Sequence, residues 1–94
     1  MGQEAMSKVP EILDLLQEEC GELVTAISKV RRFGMENVYK DSGTQREHLI
    51  QELGDVTLLI ELLHAHGLYT EKQLRTAQRY KAEKLTKWST IYED

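Results

Sequence analysis

Cysteine and proline each occur once in these 94 residues, and no long hydrophobic run occurs at all. The single thiol, Cys20, excludes an intrachain disulfide and a thiolate zinc cage. No uninterrupted apolar stretch approaches the ~20 residues that a bilayer span needs. The opening "MGQEAMSKVP" lacks a signal-peptide apolar region, and Met6 stands where a myristoylation motif needs Ser or Thr. Lys and Arg number 12 against 16 Asp and Glu, a net charge of −4. That balance argues against a broad basic surface for a nucleic-acid polymer. Together these absences point to a reducing, cytoplasmic setting with no membrane and no nucleic-acid partner.

What the chain does have is helical periodicity. Its apolar fraction of 40% supports a packed core, and its length suits a single domain over 1–94, with 1–7 a flexible N-terminus. Ser7 is placed to cap a first helix with Pro10 in its first turn. Val9, Ile12, Leu13, Leu16, Cys20, Leu23, Val24, Ile27 and Val30 then recur at helical spacing until Gly34. A polar connector follows, with turn chemistry at Asp41, Ser42 and Gly43. Thr44 and Glu47 form a capping box that opens a second helix, carried by Leu49 to Leu63 and ended by Gly67. Thr70 and Gln73 form another, starting a third helix with an apolar side at Leu74, Ala77, Leu85, Trp88 and Tyr92. No strand-like alternation, repeat or low-complexity segment interrupts this pattern. The expectation is an all-α fold of three long helices. Three helices rarely enclose a core alone, and "VTLLIELL" is apolar nearly all round, so homodimerisation is expected to complete four-helix packing.

Carboxylates crowd two of these helices. With about 100° of rotation per residue, the apolar face of the first centres near Leu16 and Ile27. Glu19 lies roughly 75° from that centre, with Glu22 further round. On the second helix the face centres between Val56 and Ile60, with Glu52 and Asp55 displaced to one side. Both pairs are i, i+3, so each presents two carboxylates one turn apart at the rim of a buried stripe. If the rims meet, two charges about 4 Å apart repel by roughly 4 kcal/mol at an effective dielectric near 20. Several such pairs rival the whole stability of a domain this size, roughly 5–14 kcal/mol. Raised pKa values or hard divalent cations must relieve them, and Mg²⁺ commonly completes its shell with waters and a phosphate. Spacing alone leaves a solvated acidic face as the alternative.

Basic residues bear on that choice. Lys81 falls near the centre of the third helix's apolar side with Lys84 beside it, placed either to snorkel outward or to pair with carboxylates or phosphates. Lys29 stands seven residues beyond Glu22, roughly 10 Å along the axis. It is placed to touch a phosphate chain, with Arg32 nearby and Phe33 offering a ring to a base. Glu61 and His64 form one Glu-x-x-His pair, but a di-iron site needs two; His48, His64 and His66 read as surface or packing residues.

"EECGE" (18–22) followed on the next helix by "ELGD" (52–55) resembles the Glu-Glu-x-x-Glu … Glu-x-x-Asp signature of the MazG-like nucleoside triphosphate pyrophosphohydrolases, in the all-α NTP pyrophosphatase superfamily. "SKVRRFG" is similar to a tract in their short, single-domain, phage-type members. The resemblance covers Leu13 to Leu63 and, more loosely, "KAEKLTKW". It implies Mg²⁺, with Mn²⁺ a substitute, held by Glu19, Glu22, Glu52 and Asp55. It also implies hydrolysis of a nucleoside triphosphate, expected to be a dNTP, between its α- and β-phosphates to the monophosphate and pyrophosphate. Glu19 and Glu22 are the candidate catalytic bases, and Lys29, Arg32, Phe33, Lys81 and Lys84 the candidate substrate contacts. Glu18 matches the leading Glu but is angled away from the seam. The interval from Leu23 to Gln51 is long for the family, and the last helix supplies lysines without the expected Asn. A homodimer or dimer of dimers is expected, and a non-enzymatic helical interaction protein with a solvated acidic rim is the rival.

Overall fold

Twenty-five consecutive residues with no internal proline beyond the first turn form the first helix, α1, Val9–Phe33. The computed structural model describes residues 6–38 and 43–94. Most of the expected N-terminal tail, residues 1–5, and the turn residues Asp41 and Ser42 lie outside that set. Lys8, not Ser7, is the N-cap of α1, with no side-chain cap hydrogen bond. Its backbone is already helical (φ −89°, ψ −10°), so the extended geometry of a serine cap does not arise there. Gly34 closes α1, its N–H donating to the Val30 carbonyl at 2.9 Å.

Helix α2, Gln45–Ala65, and helix α3, Glu71–Trp88, begin at the two expected capping boxes. Thr44 accepts from the Glu47 amide while Glu47 accepts from the Thr44 amide, and Thr70 and Gln73 do the same. The α1–α2 connection is tied by Gln45 N–H to the Asn37 carbonyl and Arg46 N–H to the Met35 carbonyl. An Arg46–Glu36 ion pair, Nε to Oε1 2.7 Å, adds to this. Among the described residues there is no strand, only an isolated bridge between Val38 and Thr44. Among the described residues the fold is all-α, built on these three helices.

Packing is concentrated between α1 and α2. Val9, Ile12 and Leu63 form the buried cluster, with Leu16, Leu59, Leu62 and Tyr69 packed around it; Ala26, Val30 and Val56 are buried elsewhere along the chain. The face that α1 buries is therefore centred on Val9, Ile12, Ala26 and Val30, turned about 50° from the expected Leu16–Ile27 centre. Val24 and Ile27 are left exposed. On α2 the buried positions are Gln45, Glu52, Val56 and Leu63.

Helix α3 departs from expectation. None of its residues is buried; Leu74 and Leu85 are half-buried, Ala77 and Trp88 are exposed, and Tyr92 lies beyond the helix end. It is held at its start, where the Tyr69 hydroxyl donates to the Ile60 carbonyl at 2.7 Å and the Tyr69 ring meets His64. The Cα trace measures 48 × 37 × 15 Å with a radius of gyration of 16.5 Å, against about 12 Å for a compact chain of this length. The described residues thus form a single layer of helices, with no four-helix core among them.

Candidate functional site

Glu19 reaches the α1–α2 interface because it follows Ile12 by seven residues, two helical turns, and so shares its face. Glu52 does the same on α2, seven residues after the buried Gln45 and four before the buried Val56. Both carboxylates therefore sit within the packed face rather than at its rim: Glu52 is buried and Glu19 half-buried. Ligand-capable oxygens of Glu19, Glu22 and Glu52 lie within 4.8 Å of one another. Glu19 Oε2 and Glu52 Oε2 are buried with no hydrogen-bond partner. Removal from water pushes the Glu19 carboxyl up to about 7, helped by the negative charge of Glu22, Asp55 and Glu52.

Two hollows flank this cluster along the seam. One, about 290 Å³, is lined by Glu22, Thr25, Lys29, His48 and Glu52. His48 Nε2 lies 4.0 Å from Glu52 Oε1, one turn away on α2. The Thr25 hydroxyl donates to the Gly21 carbonyl at 3.3 Å. The other hollow, about 260 Å³, is lined by Leu15, Glu19, Asp55, Leu58 and Leu59. Asp55 thus stands beside Glu19 but outside the three-carboxylate set.

The remaining sequence candidates are dispersed. Glu18 is exposed. Arg32 covers the Phe33 ring, 5.1 Å from its centroid, and both side chains are exposed outside the hollow that contains Lys29. Lys81 is exposed on α3, and Lys84 lines a separate cleft with Tyr80, Glu83, Lys87 and Trp88. Neither lysine lines the hollows beside the carboxylates, because α3 does not lie along that seam. Glu61 and His64 line another cleft, between α2 and α3. His48, read from the sequence as a surface or packing residue, lines the Lys29 hollow, and its position four residues before Glu52 places both on one helical face. Leu15, Leu58 and Leu59 carried no such signal.

A hard cation suits this donor set: oxygen ligands from two helices, two of them buried and unpartnered. Among the described residues, no helix is long and apolar enough to cross a membrane. No curated protein sequence and no solved structure matches the chain significantly. The family that does match is described as the MazG nucleotide pyrophosphohydrolase domain, and it accounts for residues 8–87. With that span and a carboxylate cluster where its two long helices meet, the chain belongs to the MazG nucleotide pyrophosphohydrolase family.

Proposed function

We propose that this protein hydrolyses a nucleoside triphosphate, preferentially a dNTP, between the α- and β-phosphates, releasing the monophosphate and pyrophosphate in a Mg²⁺-dependent reaction. The observation that carries this reading is the convergence of Glu19, Glu22 and Glu52 from two helices within 4.8 Å, in a chain whose family acts on nucleotide phosphoanhydrides. Those three and Asp55 are the proposed holders of Mg²⁺, for which Mn²⁺ substitutes. When bound, a divalent cation supplies neutralisation of phosphate charge and acidifies water. Glu22, exposed at the mouth of the Lys29 hollow, or Glu19 accepts the proton of the attacking water on a carboxylate oxygen. Lys29 orients the polyphosphate from the same hollow, and Arg32 is positioned one turn beyond it.

The working unit we propose is a homodimer, or a dimer of dimers. Leu13, Val24, Ile27, Ile50 and Leu53 are large apolar residues left exposed on α1 and α2. Helix α3 carries six basic and two acidic residues, whereas α1 and α2 together carry nine acidic and four basic. That complementarity favours α3 of a second copy as the cover, which is how Lys81 and Lys84 reach a carboxylate cluster that their own chain holds apart from them.

A panel of canonical and modified NTPs and dNTPs with Mg²⁺, read by pyrophosphate release, tests the activity. Glu52→Gln and Asp55→Ala are expected to lose at least about 100-fold in turnover while keeping a helical spectrum. Full activity in either variant refutes its assigned role. Absence of pyrophosphate release from every nucleotide refutes the enzyme and favours the interaction protein with an acidic rim.

A further inference from the structure

Resting on the pyrophosphohydrolase reading, we propose that the substrate lies along the α1–α2 seam in one direction. The β- and γ-phosphates occupy the Lys29–His48 hollow, the nucleoside occupies the Leu15–Leu58–Leu59 hollow, and His48 is a substrate-binding residue. The bond to be broken must lie over the carboxylates, so the two product halves fall on either side of them. The two hollows sit on those two sides. Neither reaches the ~300 Å³ at which small-molecule sites begin, while the pair together falls within the usual range.

Their linings differ in kind, and that sets the direction. One holds an ammonium and an imidazole, Lys29 and His48, both half-buried. Cationic and N–H donors that have already lost part of their water are suited to phosphate oxygens. The other offers three leucine side chains, with Leu15 44% and Leu58 55% exposed. A pyrophosphate there would shed water and gain no donor. A base laid there covers apolar surface instead, and the Asp55 carboxylate is at hand to accept from a sugar hydroxyl or a ring N–H. This orientation reverses the sequence expectation of a base on Phe33, which would set nucleoside and phosphates on the same side of the cluster. In the structure that ring is covered by Arg32.

Product inhibition separates the two ends. Inhibition constants for pyrophosphate and for the nucleoside monophosphate are measured on the intact protein with Mg²⁺, for wild type, His48→Gln, His48→Asn, Leu58→Ala and Phe33→Ala. The His48 variants are expected to raise the pyrophosphate constant about tenfold while leaving the monophosphate constant within about twofold. Leu58→Ala is expected to raise the monophosphate constant about fivefold and spare pyrophosphate. The reverse pattern overturns the orientation, as do equal rises in both constants or a Phe33→Ala rise in the monophosphate constant with Leu58→Ala silent. Thermal melting of both His48 variants within a few degrees of wild type excludes a general packing defect as the cause, and a larger drop in both counts against the binding role. If wild type releases no pyrophosphate from any nucleotide, the enzymatic reading itself has failed, which is a different result from a reversed pattern in an active enzyme.

Discussion

Glu19 combines partial burial with three acidic neighbours, and the consequence is measurable without any substrate. Its carboxyl titrates near 4.5 when the chain is unfolded and near 7 in the fold. Between those values the folded chain holds a proton that the unfolded chain has released. Stability of the metal-free protein therefore falls as pH rises from about 4.5 to about 7 and flattens above. Glu19→Gln, neutral throughout, should flatten that slope and be the more stable form at pH 8, read by urea unfolding in EDTA from pH 5.5 to 8. Protons and a cation compete for the same oxygens, so Mn²⁺ affinity of the wild type should rise over that range, while the variant binds weakly at every pH. That carboxylates of the two helices would converge was legible from the matched Glu19/Glu22 and Glu52/Asp55 spacings. The depth of Glu19 was not. The apolar pattern centred α1 on Leu16 and Ile27, whereas packing against α2 selected Val9, Ile12, Ala26 and Val30 and drew Glu19 inward with them. His48 read as a surface or packing residue because its place one turn before Glu52 carries weight only once Glu52 is known to be buried.

Helix starts were readable because their chemistry is local. The Thr44–Glu47 box closes on itself within four residues, and Thr44 holds the Glu47 carboxyl below its ordinary value. That contribution is present above about pH 4.5 and is lost as pH falls through the lowered folded value. Thr44→Ala should cost about 1 kcal/mol in chemical unfolding. Gly43→Ala should cost at least as much, because position 43 has φ +91° and an added Cβ would come within 2.9 Å of the Glu47 carboxylate. Helix α3 shows where local reading stops. Leu74, Ala77, Leu85 and Trp88 make a proper apolar side, yet none is buried. The short connection through residues 66–70, pinned by Tyr69 to Ile60, directs α3 away from α1. Tyr69→Phe removes one part-buried hydrogen bond and should cost about 1 kcal/mol, with the loss seen first as faster amide exchange in α3.

A layer of helices 15 Å thick, with Val24 66%, Ile50 57% and Trp88 81% exposed, leaves much of its apolar surface in water. Chains of this size hold a single core only when most of that surface is covered, so the expected state is one in which two copies share it. Wild type should sediment at twice 10.9 kDa at micromolar concentration, with a melting temperature that rises with concentration as mass action requires. Val24→Glu with Ile27→Glu places two charges on the exposed side of α1 and should yield a 10.9 kDa species. Whether a second copy also completes the proposed active site is a separate matter, decided by mixing two inactive forms. Glu52→Gln destroys the carboxylate cluster but leaves α3 intact; Lys81→Ala with Lys84→Ala does the converse. If α3 acts on the neighbouring chain, half of the refolded dimers are mixed and each has one whole site, so about a quarter of wild-type activity returns. If the lysines serve their own chain, every site in the mixture carries one defect or the other and no activity is regained.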